Sequence, residues 1–213
     1  MEMEQHLQLV GDSFRLLSAC FYEPEKQMFL EENLCLNLSD LLKPLDLLAS
    51  TDSQKMQNAL LDSDEKALII DHAALFIGPF ELSAPPYGSV YLEAENQVMG
   101  TSTFQIKQIY EDANLRIDQK EPADHIAIEL EFMSYLFGLE IKAIQKSNKK
   151  EQSRIQSLQK SFFQTYLNSW TPDFCQKIET NAETDFYKLL ASVLRQFVNE
   201  MSNLFTQRKV ELS

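Results

Sequence analysis

Glycine and proline are scarce in this chain, five and seven among 213 residues. A β-sandwich or a nucleotide-binding α/β sheet spends many such residues on tight turns, so the scarcity argues against both. Cysteine is equally thin. Cys20, Cys35 and Cys175 are odd in number, far apart and without CxxC spacing. That leaves neither a disulfide framework nor a zinc site, and a reducing cytosol fits best. The opening residues, Met-Glu-Met-Glu-Gln-His, are acidic and lack the apolar core of a secretion signal. No apolar run approaches the roughly eighteen residues that a membrane helix needs. These absences predict a soluble, cytoplasmic protein. Basic residues are also in deficit: the formal charge is −13, with no basic stripe, which argues against nucleic acid as a partner.

What is abundant is Leu, Phe, Met, Glu, Lys and Gln, the composition of a helical protein. Leu7, Val10, Phe14, Leu17 and Phe21 keep the three–four spacing of an amphipathic helix that stops near Pro24. Leu38 to Leu48 reads as helical, with Pro44 starting or kinking a helix. Asp64 is placed to cap a stripe of Leu68, His72, Leu75 and Phe76 that Gly78-Pro79 ends, which makes His72 a hydrogen-bonded core residue. Thr103 is placed to cap a helix holding Ile106, Ile109, Tyr110 and Ala113. A helix through Ile155, Leu158, Phe162 and Tyr166 ends at Trp170, and Thr171-Pro172 signals the start of the next. Phe186 to Leu204 traces a long terminal helix. The expected architecture is all-α: a compact, bundle-like domain of about ten helices with one long ordered loop. It divides into helical subdomains at about 1–116 and 124–213, joined by a hinge at 117–123.

Two stretches stand apart. From Ile126 to Leu139 apolar residues fall on nearly every face, the pattern of a central buried helix. Just before it, Glu121-Pro122-Ala123-Asp124-His125 sets an acid–histidine pair at a helix start, where Pro122 disfavours helix and Asp124 is placed to cap the first turn. The other stretch, Phe80 to Gly100, carries Pro85-Pro86-Tyr87-Gly88-Ser89-Val90-Tyr91-Leu92. The proline pair forces extended backbone, and the tyrosines argue against disorder, so this is a long ordered loop. Such a loop either serves a function or plugs the core with its tyrosines.

Charge is uneven. Between Glu81 and Glu131 ten acids face three bases, about half the excess charge in a quarter of the chain. This is either ordinary solubility or a surface attractive to a cationic peptide. Catalysis is hard to build here. GxGxxG, Walker, HExxH and GxSxG signatures are all missing. His125 and Glu129, four apart, would share a helical face, but with three histidines in all and no second ligand pair a metal site is not expected. Asp124 or Glu121 could tune His125 as a base. No nucleophile accompanies it, so no catalytic residues and no cofactor are assigned.

Three separated stretches, Leu75-Phe76-Ile77-Gly78-Pro79, Pro85 to Leu92, and Glu121 to His125 with its apolar helix, together resemble the TorD/DmsD/NarJ family of redox-enzyme maturation chaperones. Phe186-Tyr187 fits too, and the likeness runs from the first helix to the last. The Pro85–Leu92 stretch is most similar to the branch that serves dimethyl-sulfoxide reductase, with tyrosines at 87 and 91 where that branch often has tryptophan. The resemblance implies a non-enzymatic cytosolic chaperone that binds the twin-arginine signal peptide of a molybdenum-cofactor reductase, of the dimethyl-sulfoxide or trimethylamine-N-oxide type, and holds its apo form back from export. It further implies peripheral contact with the export machinery and a monomer able to exchange domains into a dimer. Carried over by motif, the peptide site comprises Leu75, Phe76, Phe80, Pro86, Tyr87, Ser89, Tyr91, Pro122, Asp124 and His125. Glu121 and Glu129 join them as carboxylates that could face the guanidinium groups, a chemistry that needs acids beside an apolar groove. The alternative that the resemblance raises is guanine-nucleotide binding or slow hydrolysis at the Asp124–His125 cluster.

Overall fold

The structure, a computed structural model, describes residues 2–45, 48–78, 82–93, 98–116 and 121–207. Among these are eleven α-helices and no strand, in agreement with the all-α expectation. In chain order they are α1 (Glu2–Ala19), α2 (Lys26–Glu31), α3 (Leu34–Leu42), α4 (Ala49–Asp62), α5 (Glu65–His72), α6 (Ser89–Leu92), α7 (Thr101–Asp112), α8 (Ile126–Gln145), α9 (Lys149–Phe162), α10 (Asn168–Asn181) and α11 (Asp185–Gln207).

The apolar α8 is the central element. Its Ile126, Leu130, Phe132, Met133, Leu136 and Phe137 are all sealed from solvent. Helix α1 lies along it, with the Phe14 and Phe137 rings stacked 5.8 Å apart. Gly11 permits that approach, since a Cβ there would stand 3.1 Å from the Phe137 Cβ. Helix α4 packs on α11, which also covers α10. Elements from either side of the expected hinge thus share one core; residues 117–120 of that hinge lie outside the described residues.

Several local expectations hold. The Asp64 carboxylate accepts from the Ala67 N–H and caps α5. His72 is buried, its Nε2 3.4 Å from the Phe21 carbonyl. The stripe carries on through a π-turn, Ala73–Ile77, and stops at Gly78, whose φ of 89° suits a residue without Cβ.

Three differ. Thr103 does not cap α7: that helix begins at Thr101, and the Glu93 side chain reaches back to accept from the Thr101 and Ser102 N–H groups. A longer carboxylate from the preceding loop does the work assigned to the threonine. Nor does a helix begin at Thr171-Pro172. Helix α9 runs through a second π-turn, Phe163–Leu167, straight into α10, with Pro172 inside it. Proline cannot donate to the ladder, which leaves the Asn168 carbonyl without its i+4 donor; the neighbouring Thr171 hydroxyl donates to the Leu167 carbonyl. The third difference, the cap of α8, belongs to the site.

Candidate functional site

Two loops meet where α8 begins. Tyr87 and His125 face each other in a short antiparallel bridge, closed on one side by Gly88 N–H to the Asp124 carbonyl and on the other by Ile126 N–H to the Pro86 carbonyl, both 2.9 Å. Pro85-Pro86 keeps its segment extended, and on the opposite approach Pro122 opens a turn, its carbonyl accepting from the His125 N–H at 3.1 Å. The motifs that stand 35 residues apart in sequence are therefore one structural unit.

The cap of α8 is His125, not Asp124. The His125 Nδ1 accepts from the Ala127 N–H at 3.2 Å. Asp124 is turned away from its own helix, and its Oδ2 accepts from the Ser89 N–H at 2.8 Å. A carboxylate in reach of an unpaired N–H on a crossing loop makes a charge-assisted bond there, and the imidazole fills the cap it leaves. Because Nδ1 is an acceptor, the ring proton sits on Nε2. Burial pushes the His125 pKa down to about 4, although the negative charges of Glu121 and Asp124 oppose that shift. His125 is neutral at pH 7. Tyr22 stacks over it at 6.3 Å, and the Tyr87 ring meets its edge at 5.4 Å.

The predicted residues fall into layers. Glu121 is exposed and accepts from the Tyr87 hydroxyl at 2.9 Å; Tyr87 and Pro122 are half-buried. Beneath them lie Pro86 and His125, and Asp124, Ser89 and Glu129 are fully enclosed. Glu129 Oε2 accepts from the Trp170 indole N–H at 3.3 Å, and Tyr91 stacks on that indole at 5.3 Å. Burial drives the Glu129 carboxyl well above its ordinary range, with the Asp124 charge adding to the rise. Leu75 and Phe76 belong to the core behind: Phe76 packs on His72, Phe174 and Tyr187, and the Leu75 carbonyl accepts from Ala84 N–H to anchor the loop. Phe80 lies outside the described residues.

Sequence reasoning missed four participants. Trp170 arrives from α10 and Tyr22 from the bend after α1, and nothing in the local sequence marks them. The Tyr110 hydroxyl donates to the Ala123 carbonyl and fixes the second loop from below. Gly88 is required by contact: a Cβ there would stand 3.0 Å from Trp170 Nε1 and 3.3 Å from Glu129 Oε1. Proline beside Tyr-Gly was the only available signal for it.

Beside Glu121 a groove of about 770 Å³ opens between α7 and the second loop. Met99, Phe104 and Leu115 give it apolar walls, with Phe104 62% and Met99 58% exposed, while Glu111 and Glu121 stand on its margin. Lys107 and Arg116 also line it. Among the described residues no group of three or more His, Cys, Asp or Glu is placed to hold a metal ion, and none of the helices is long and apolar enough to cross a membrane.

Residues 42–176 match the family described as nitrate reductase delta subunit. A Haemophilus influenzae protein named "Probable Tat proofreading chaperone DmsD" is 27% identical over 193 residues, covering 89% of this chain and 88% of its own. A Psychrobacter "Chaperone protein TorD" is 31% identical over 170 residues, covering 73% and 72%. A crystal structure from Archaeoglobus fulgidus, described as a redox enzyme maturation protein, shares the fold with a TM-score of 0.53 at 22% identity over 94% of both chains. With the matched region spanning both loops, the π-turn before them and the whole of α8, the chain belongs to the nitrate reductase delta subunit family, the family of the TorD, DmsD and NarJ maturation chaperones.

Proposed function

We propose that this chain is a cytoplasmic, non-catalytic chaperone that binds the twin-arginine signal peptide of a molybdenum-cofactor reductase during maturation of that enzyme. The observation that carries the reading is the junction itself: beside the Tyr87–His125 bridge, the Tyr87 hydroxyl holds the Glu121 carboxylate at the edge of a groove with apolar walls at Met99, Phe104 and Leu115. A twin-arginine signal joins guanidinium groups to an apolar segment, and needs carboxylate and apolar wall side by side. The names of the relatives point the same way. Glu121, at the surface, would be the first carboxylate the peptide meets, and Asp124 lies one layer below. A nucleotide is the weaker reading, because backbone N–H groups at the start of α8 that a phosphate would seek are already taken by Pro86 and His125. The test is calorimetric titration with a synthetic twin-arginine signal peptide and a Lys-Lys control, which keeps charge but loses the bidentate fork. Micromolar or tighter binding that weakens with the control is expected; equal affinity for both peptides would remove arginine recognition from the reading.

A further inference from the structure

The tip where α8 turns into α9 carries charge of the opposite sign to the chain as a whole. From Lys142 to Lys160 there are six bases and one acid, net +5 in a protein of net −13. Lys142, Lys146, Lys149 and Lys150 fall within nine residues. All four are exposed, and none forms an ion pair among the described residues. The acids at this end are engaged elsewhere. Glu151 is held by two nitrogens of the Arg154 guanidinium at 2.9 and 2.7 Å, and Glu4 receives the Gln145 amide at 3.3 Å. Glu140 is buried and receives Gln156 and Gln159. Helix stability does not account for the cluster. Lys142 and Lys146 stand at the end of α8, where the negative end of its dipole favours them. Lys149 and Lys150 open α9, where the positive end opposes them.

We infer that this tip is a docking surface for the anionic headgroup face of a phospholipid bilayer. The inference goes beyond the signal-peptide reading and does not depend on it. Residue type selects the occupant. Specific protein interfaces favour Arg, Tyr and Trp and are poor in Lys, and single-stranded nucleic acid needs aromatic rings on which its bases stack. Between Ile141 and Lys160 there is no aromatic residue, and the one arginine is occupied by Glu151. Four hydrated lysines on an exposed turn suit a plane of phosphates, which asks for charge without fixed geometry. Position agrees. Helix α8 is 20 residues long, so the tip stands about 30 Å from His125 at its other end. The acid-rich Glu81–Glu131 stretch leads into that other end. Charge is thus separated along α8, and an anionic bilayer attracts the tip while it repels the peptide-site end. The docked chain holds its peptide site away from the lipid.

The experiment is flotation of the full chain with vesicles of equal parts phosphatidylglycerol and phosphatidylcholine, beside vesicles of phosphatidylcholine alone. Binding to the anionic vesicles only is expected, and it should fade as salt rises through about 0.1 M, where the screening length is about 10 Å. Each lysine at such a surface is worth roughly fivefold in partitioning, so replacing Lys142, Lys146, Lys149 and Lys150 together by glutamine should cut it by on the order of several hundredfold. That variant should keep the wild-type Tm or exceed it, because two of its lysines oppose the α9 dipole; its loss of binding is then not a loss of fold. A second variant, with Lys43, Lys55, Lys66 and Lys188 changed to glutamine, has the same net charge and an intact tip, and should still float. Equal flotation of the two variants, equal flotation with neutral vesicles, or none at low salt overturns the inference. Tighter binding of poly-glutamate than of the anionic vesicles also overturns it, and assigns the tip to an acidic protein segment.

Discussion

The acid sensitivity of His125 offers the sharpest check on the site, because one atom both caps α8 and titrates. Protonating Nδ1 would break its bond from Ala127 N–H. The folded ring titrates near about 4 against an ordinary value of 6.5. A histidine depressed in the folded state contributes its full stability above the unfolded value, and that contribution is lost as pH falls from about 6.5 toward 4. The interval corresponds to roughly 3 kcal/mol in the limit, of which about 2.5 kcal/mol is gone by about pH 4.5. His125→Asn is the informative variant, since asparagine is a good N-cap and does not titrate. His72 is also held low by burial, and Glu129 is held high, which works in the opposite sense above its ordinary range. Both are common to the two proteins and cancel in their difference. Thermal and denaturant unfolding of each should be followed from pH 7.5 to 4.5. The variant is expected to gain on the wild type by about 2–3 kcal/mol across that range, or roughly 5–10 °C in Tm for a chain of this size. Parallel stability curves would refute the assignment of His125 as a neutral cap.

Two other substitutions probe the frame around the site. Gly88→Ala would drive a methyl against Trp170, which Tyr91 and Phe174 hold in place; a loss of about 1–3 kcal/mol is expected in urea unfolding, together with weakened peptide binding. An alanine variant as stable as wild type would show that the indole can yield. Asp71 receives the Glu183 and Thr184 N–H groups and the Thr184 hydroxyl, and so caps α11 from the end of α5. Asp71→Ala should cost about 2–3 kcal/mol, with peptide affinity unchanged once folding is complete; a loss below about 0.5 kcal/mol would mean that water replaces the carboxylate there.

Much of this was legible in the chain because it rests on local spacing. Apolar residues on nearly every face of Ile126–Leu139 marked the central helix, Asp64 the start of α5, and Gly78 the stop after the Leu68–Phe76 stripe. The residues of the two loops were singled out for good local reasons too: proline pairs that forbid helix, and acids beside a histidine. Pro172 misled because α9 continues through a π-turn into α10, so that the proline falls in the first turns of a helix already under way rather than at a fresh start.

By itself the sequence determined the main helical segments, among them α1, α8 and α11, the cap of α5 at Asp64, and which two loops are too rich in polar and aromatic groups to be spacers. Those are properties of neighbouring residues, and three or four positions suffice to state them. Only the tertiary structure decided what the loops do to each other. Asp124 leaves its own helix for Ser89, 35 residues earlier, and His125 inherits the cap. The Glu129 carboxyl is pushed well above its ordinary range by burial and by the Asp124 charge, against the opposing hydrogen bond from Trp170. Hydrogen-bond choice and ionisation state are set by what lies within a few ångströms in space, and that neighbourhood exists only once α1, α8 and α10 have come together.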